Sequence, residues 1–549
     1  MCIERGKHGF GDQSRGVTLR LSSTTKSRLI FNFFRDHARA SIRQSAVETG
    51  LTKSSVHRLR QALERRDLHP ESWLWETEAG RRWLTRLVVA TLSTFGLKRG
   101  VGLDTMSAFF ARLRLERQVG CSPSALRGVM QALEAALLET AGRWEKDGVV
   151  AGEVREMIGA VDETFLEQMM LVFQDVPTGD IVQEEVADDR SYATWKAVVD
   201  ARLTALGTEG WYLVSDRAKA LIQLAEKGLE CLSMPDFFHG VHEIIKSYSL
   251  AIGRCVRHAH QERKKAEEAL ARRQGLARVA PACPEAKAEV EAKRAEVTRW
   301  EEGLRRYRHH LETLSFTLHP FCIADSTPQT TAQVESQLTA AVEAIEALAQ
   351  CHQLPARHDA MTKVRKQVPA LAALVDFWWQ GVRQDLEPFV LSPPWSQWVH
   401  TCLLPTLYWD YQGARTRCRR RKARIRQALE AVRTAFERHP LTLQLAPHVL
   451  AAWQGWAIDR VTSFQRTSSA VEGRNGSLAQ LHHNQRGLPK HRYKVWTVLH
   501  NFDCRAPDGT TPAARFFRQA FPDLFETVLA YIEALPQPRR RKCQVALSH

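Results

Sequence analysis

The spacing of apolar residues changes from helical to extended and back to helical along the chain. Between residues 25 and 144 apolar side chains recur at every third or fourth position, as in Leu29, Ile30, Phe33 and Phe34, which predicts helices. From residue 154, short apolar runs separated by turn residues predict strands. From about residue 244 to residue 462 the spacing is helical again. We therefore expect one small sheet between two helical regions.

The extended region has a definite order of elements. Apolar runs at 157–165, 169–173 and 181–186 predict an antiparallel meander. After them come a helix at 191–206, a strand at 211–216, a helix at 217–225 and a short strand at 229–232. Two of these strands end in a carboxylate, Asp162 and Asp216. Glu163 is expected to point to the opposite face of its strand, since strand side chains alternate, and we leave it out of the candidate site.

Residues 41–60 have the pattern of a helix-turn-helix. Ala46 is small where two helices would cross, Gly50 suits the turn, and Thr52 is a helix cap. An ordinary helical hairpin shares these features. DNA binding is favoured because the outward face is polar and basic. The residues predicted to contact DNA are Lys53, Ser54, Ser55, His57 and Arg58.

The second helical region contains two features that composition alone would not indicate. The charged helices at 254–274 and 285–314 flank a Pro-containing segment and predict an antiparallel coiled-coil hairpin. Residues 415–426, on a predicted helix, contain eight basic side chains and no acid. A solvated charge run is the usual explanation, but a run this dense favours a polyanion partner. Its basic residues are Arg415, Arg417, Arg419, Arg420, Arg421, Lys422, Arg424 and Arg426.

Charge and cysteine usage narrow the class of protein. The 549 residues include 77 Lys and Arg against 61 Asp and Glu, a net charge of +16, which favours nucleic acid as a partner. The 11 cysteines are scattered without a C-x-x-C pair, which argues against a zinc finger and against a disulfide framework. The sequence has no signal-peptide pattern and no apolar stretch long enough for a bilayer, so we expect a soluble, intracellular protein with no membrane partner.

Three separated segments together resemble a DDE transposase. Asp162 and Asp216 follow strands, and Glu472 lies on a late helix after a long helical stretch. The segment from Pro235 to His239 resembles the D-x-x-H element of hAT and Mutator-like transposases. The run Ser-Ala-Val-Glu-x-x-Asn, which ends at Asn475, resembles the final-acid motif of several bacterial insertion-sequence transposases.

The resemblance implies an α/β RNase H-like catalytic core, interrupted by a large all-α insertion and preceded by the all-α helix-turn-helix region. It implies that Asp162, Asp216 and Glu472 are catalytic and hold two Mg²⁺ ions, with Mn²⁺ as a substitute. Two ions about 4 Å apart would activate water and stabilise the leaving 3′ oxygen. Asp236, His239 and Asn475 would support this site.

The implied partners are double-stranded DNA, both transposon terminal repeats and target DNA, and further copies of the chain, because two ends must be held together. The implied location is the bacterial cytoplasm, at the nucleoid. Two alternatives stay open. One is a DNA-binding regulator or a domesticated transposase remnant that no longer cuts, and the other is an α-helical scaffold.

The expected organisation has six segments. They are an arm and helix-turn-helix (1–75), a second helical DNA-binding or linker domain (76–153), the first part of the core (154–245), the helical insertion (246–462), the last part of the core (463–505) and a C-terminal helix with a basic tail (506–549).

Overall fold

The computed structural model describes residues 23–67, 74–75, 77–276, 284–484 and 491–538. Their contacts form two compact units, residues 1–133 with 528–549, and residues 134–527. The predicted basic tail from residue 539 lies outside the described residues. No helix in the described ranges is both long and apolar enough to cross a bilayer.

The first unit is helical. Its helices are α1 (Ser23–Asp36), α2 (Ile42–Thr49), α3 (Lys53–Asp67), α4 (Glu78–Thr91), α5 (Leu103–Arg112) and the start of α6 (Pro123–Gly148). The apolar spacing predicts a helix from Asp104 to Gln118, but α5 ends at Arg112, and soon after it Arg114 takes a left-handed backbone with φ 58°. Residues 145–148 have the composition of a linker but form the end of α6.

The second unit contains the sheet and the long helices. Its strands are β1 (Arg155–Phe165), β2 (Met169–Asp175), β3 (Ile181–Ala187), β4 (Thr208–Ser215) and β5 (Leu232–Pro235). Its helices are α7 (Tyr192–Leu206), α8 (Lys219–Gln223), α9 (Phe237–Leu276), α10 (Pro284–Thr317), α11 (Thr331–Cys351), α12 (His358–Leu386), α13 (Pro393–Trp398), α14 (Leu404–Arg415), α15 (Arg419–Arg438), α16 (Pro440–Gln444), α17 (Pro447–Thr462), α18 (Ser469–Asn484), α19 (His491–Asp503), α20 (Pro512–Phe516) and α21 (Leu524–Leu529).

The five strands form one mixed sheet in the order β3-β2-β1-β4-β5. β2 pairs antiparallel with β1 and β3, while β4 pairs parallel with β1 and β5, so only β2 runs against the others. The expected antiparallel meander of β1, β2 and β3 is thus confirmed, and β5 lies three residues later than expected. The residues 157–161 of β1 are buried without alternation because helices cover both faces of this α/β sheet.

A helical insertion separates β5 from α18. In it α9 and α10 pack along each other, which confirms the predicted helical hairpin, and both helices are longer than expected. The buried Tyr212 of β4 joins the end of the insertion to the sheet. Its hydroxyl donates to the carbonyl oxygen of Ser463 at 2.7 Å and accepts from the backbone N–H of Gln465 at 2.7 Å. The chain is thereby returned to the sheet just before α18.

The two helices predicted within residues 41–60 are present as α2 and α3, and their assignment as a DNA-binding helix-turn-helix stays a prediction. Ser41 caps α2, Gly50 ends it at φ 66°, and the Thr52 hydroxyl accepts from the backbone N–H of Ser55. Ala46 and Val56 are buried in a small core with Ile30, Leu51 and the partly buried Leu59.

We expect Gly50→Ala to destabilise the α2–α3 pair by about 1 kcal/mol. Nothing lies within 4 Å of an added Cβ at Gly50, so the cost is the left-handed backbone itself. Gly128→Ala in α6 is the matched control, because its added Cβ also meets nothing within 4 Å and helical Ala is favoured by about 0.5–1 kcal/mol. Amide hydrogen exchange of α2 and α3 measures the difference. Unchanged exchange in Gly50→Ala would contradict the turn assignment.

Candidate active site

The ends of β1 and β4 lie next to each other because these strands are parallel neighbours, with Ala160 in register with Val214. Asp162 lies two residues beyond that pair. It was expected to follow the first strand but lies inside it, because β1 continues to Phe165 and pairs Asp162 with Val172 of β2. Asp162 Oδ1 accepts the backbone N–H of Glu163 at 2.9 Å. Asp216 directly follows β4, and its Oδ1 accepts the backbone N–H of Ala218 at 2.8 Å. The sheet therefore places both predicted acids on the side where the carboxyl-terminal parts of β1 and β4 lie next to each other.

Helix α18 brings a third acid to this edge. It packs on β1 and β2, and Asn475 donates from Nδ2 to Asp162 Oδ2 at 2.8 Å. Glu472 lies three residues earlier, on the same helical face as Asn475. A direct hydrogen bond thus joins α18, which carries Glu472, to β1, although 313 positions separate Asn475 from Asp162.

A hydrogen-bonded network of Asp236, His239 and Ser468 lies next to Glu472. Asp236, whose side chain is fully buried, follows β5, and a 2.9 Å hydrogen bond joins its Oδ2 to His239 Nδ1. The other ring nitrogen of His239 lies 3.7 Å from Glu472 Oε1. The Ser468 hydroxyl donates to Asp236 Oδ2 at 2.6 Å. His239 is therefore within ion-pair distance of the predicted acid, and the supporting role of Asp236 and His239 stays a prediction.

The charges of this cluster perturb one another. Burial raises the pKa of Asp162 to about 6, and the nearby negative charge of Glu472 contributes to this rise. The hydrogen bond to Asp236 raises the pKa of His239 to about 9, so the ring is an imidazolium at neutral pH. The positively charged ring of His239 thus lies between Asp236 and Glu472.

Asp216 acts on Glu163, a carboxylate outside the predicted site. Glu163, which was left out of the predicted site, lies on the opposite face from Asp162 as expected. It is buried against α7, where it accepts from Trp195 Nε1 at 3.3 Å and lies 3.7 Å from Arg190. Burial raises the pKa of Glu163, and the charge of Asp216 contributes in the same direction. Asp216 therefore acts electrostatically on Glu163.

The donor chemistry suits a hard cation, although the acids do not form a ready-made cluster. Asp162 and Glu472 offer carboxylate oxygens, and Asn475 Oδ1 is buried without a hydrogen-bond partner. Mg²⁺ prefers such oxygen ligands and keeps several waters. Among the residues that the structure describes, no three His, Cys, Asp or Glu side chains are grouped to hold a metal ion. The predicted three-acid metal site stays a prediction.

One buried contact near α18 was missed from the sequence. Arg474 forms a bidentate ion pair with Glu184 of β3, at 2.6 and 2.8 Å, and the Thr497 hydroxyl donates to the same carboxylate at 2.6 Å. Both charged side chains are almost completely buried. The pair fixes the turn of α18 that carries Glu472 and Asn475. The only indication of this contact in the sequence was an arginine next to the predicted site residue Asn475.

The predicted DNA-contacting residues are mostly exposed. In α3, Lys53, Ser54, His57 and Arg58 are exposed, and Ser55 is half-buried. All eight basic residues of 415–426 are exposed, but the expected single helix is wrong. Helix α14 ends at Arg415 and α15 begins at Arg419, with extended backbone between them at Thr416 and Cys418.

Part of the chain matches a protein-family model. A model described as a family of unknown function (DUF6399) matches residues 399–544. This segment includes the basic residues, Glu472 and Asn475, and it excludes Asp162 and Asp216. A search of curated proteins gave no match.

We expect Ser468→Ala to destabilise the second unit by about 1–3 kcal/mol, because it removes a donor from the buried Asp236 carboxylate. Urea denaturation of the full chain measures the change. Ser477→Ala, on an exposed face of the same helix where the hydroxyl donates only to Gly473, should change stability by less than about 0.5 kcal/mol. Equal stability of the two variants would contradict this role of Ser468.

Proposed function

We propose that the protein is a DDE-type DNA transposase with an RNase H-like core. The observation that carries the proposal is the hydrogen bond between Asn475 on the late helix and Asp162 on the first strand. The sheet order, with only β2 antiparallel, supports it, because RNase H-like cores have this arrangement. The insertion between β5 and α18 also agrees with this family.

In this proposal metal binding, orientation of the acids and DNA binding belong to different residues. Asp162, Asp216 and Glu472 would hold Mg²⁺, which when bound would supply an activated water and stabilise the leaving 3′ oxygen. Asn475 orients Asp162 through its amide. His239, held by Asp236, orients Glu472. The exposed face of α3 binds the ends of the mobile element.

A DNA-binding regulator without cleavage activity is the second candidate. It is favoured by the exposed basic face of α3 and by the exposed basic residues 415–426, since neither feature requires chemistry. The α-helical scaffold explains neither the strand-end acids nor these basic residues.

A mobility assay separates the two candidates and does not require the sequence of the element ends. The gene, its native flanking DNA and a selectable marker are placed on a plasmid, and new genomic insertions of the marker are counted and sequenced. The proposal predicts insertions bounded by one fixed pair of ends and flanked by short target duplications. Absence of insertions, with the protein expressed and bound to its flanking DNA, would favour the regulator.

A further inference from the structure

A second candidate site lies beside the acids, in a cavity of about 370 Å³. Its walls are the end of α10, the break between α14 and α15, and the segment from Phe464 to Ser469 that leads into α18. Four arginines line it, Arg415, Arg417, Arg421 and Arg466, and no acid does.

The charges of these four arginines are uncompensated. Among the described residues no carboxylate lies within 4.0 Å of any of them, whereas the neighbouring Arg420 and Arg424 both pair with Glu312 at 3.3 and 3.9 Å. Within the basic segment, Arg420 and Arg424 thus face an acid, whereas Arg415, Arg417 and Arg421 line the cavity.

Neutral oxygens hold two of the cavity arginines in place. Arg466 donates to the carbonyl oxygens of Ser315 at 2.7 Å and Leu318 at 2.8 Å. Arg415 donates to Gln465 Oε1 at 3.2 Å. Such contacts fix a guanidinium without neutralising it, and fixed guanidinium groups suit bidentate binding of phosphate oxygens.

The break between α14 and α15 adds donors to the same cavity. Cys418, at the N-terminus of the 20-residue α15, lines the cavity. The backbone N–H of Arg421 lowers the pKa of the Cys418 thiol, which shows that this helix end favours negative charge. The start of α15 and the four arginines thus both favour an anionic ligand.

The cavity shares a wall with the candidate active site. Thr467 and Ser469 line the cavity, and Ser468 between them donates to Asp236, which holds His239 against Glu472. We propose that this cavity binds backbone phosphates of the single DNA strand that the catalytic acids cut, close to the scissile bond. The assignment to the cut strand rests on the proposed function, whereas binding of a strand does not.

Cys418 provides a test that requires no catalysis. Cys351, Cys418 and Cys504 are all exposed, so their alkylation rates by iodoacetamide can be followed separately by mass spectrometry in the full-length protein. A saturating single-stranded oligonucleotide should slow alkylation of Cys418 about tenfold, as expected for occupancy through charged hydrogen bonds, and leave Cys351 and Cys504 unchanged. A methylphosphonate oligomer of the same sequence, which lacks the charges, should give no protection.

Matched variants decide which arginines are responsible. Arg417→Gln with Arg421→Gln should abolish protection of Cys418. Arg305→Gln with Arg308→Gln removes the same charge from exposed positions of α10 that do not line the cavity and should leave protection intact. Unprotected Cys418 at saturating oligonucleotide would overturn the inference. So would equal protection by the methylphosphonate oligomer, or protection by inorganic phosphate alone, which indicates a small-anion site. Protection without mobility of the element would reject the transposase while leaving strand binding in place.

Discussion

Asp162→Asn should remove strand cleavage while end binding by the α2–α3 pair survives. The substitution keeps the shape of the side chain and removes a charged oxygen ligand. Since metal ions contribute several kcal/mol to such reactions and 1.36 kcal/mol is tenfold in rate, we expect a loss of about 1000-fold or more. Cleavage of labelled end DNA and its retention in gel-shift experiments measure the two properties.

Glu167→Gln is the matched control, because Glu167 is an exposed acid in the turn after β1. It should cut at the wild-type rate. Wild-type cleavage by Asp162→Asn would show that the assignment of Asp162 is wrong.

The same cleavage assay tests which of the other acids are needed for activity. Glu472→Gln and Asp216→Asn should each be as inactive as Asp162→Asn. Glu163→Gln is the informative comparison, because Glu163 is buried and the charge of Asp216 raises its pKa. It should keep measurable cleavage, since its carboxylate bonds to Trp195 on the opposite face of β1. Activity in Asp216→Asn together with inactivity in Glu163→Gln would reverse the assignment of these two residues.

Arg474→Met should destabilise the second unit by about 3–5 kcal/mol, because it leaves the carboxylate of Glu184 buried without its ion-pair partner. Cleavage should fall as well, since the ion pair anchors the turn of α18 next to Glu472 and Asn475. Urea denaturation, followed by tryptophan fluorescence, measures the change in stability.

Two further variants separate this effect from a general sensitivity to lost charge. The double variant Glu184→Leu with Arg474→Met should recover most of the stability, because apolar residues can replace a buried ion pair. Arg433→Met breaks an exposed pair with Asp410 and should cost less than about 1 kcal/mol. A cost for Arg474→Met as small as that of Arg433→Met would contradict an anchoring role.

The sheet was predictable from the sequence because its signals are local. Apolar runs and the turn at 177–180 were enough to locate β1, β2 and β3. The break at Thr416 to Cys418 was not predictable in this way, since a dense basic run gives no apolar spacing to mark a helix end. Asp188 and Asp189 precede α7, so the sequence predicts one of them as its N-cap, and this prediction is wrong. Ser191 caps the helix, and Asp189 accepts from the backbone N–H of Ser191 and from the Thr194 hydroxyl.

The candidate site was predictable only as a set of residue types. Asp162 and Glu472 were chosen by their order along the chain and by the resemblance. The structure adds the contacts that cross the insertion, such as Ser468 with Asp236 and Arg474 with Glu184, which lie 232 and 290 positions apart. Pairings at such separations depend on tertiary packing, which no local pattern encodes.

The most direct measurement is the mapping of nicks on duplex DNA that spans the boundary of the element. Purified protein is incubated with this end-labelled DNA and Mg²⁺, beside Asp162→Asn and Glu167→Gln. We expect one Mg²⁺-dependent nick at the boundary that leaves a 3′-OH, with wild type and Glu167→Gln alike and Asp162→Asn inactive. Binding of the duplex by wild-type protein without any nick at the boundary would contradict the assignment as a transposase.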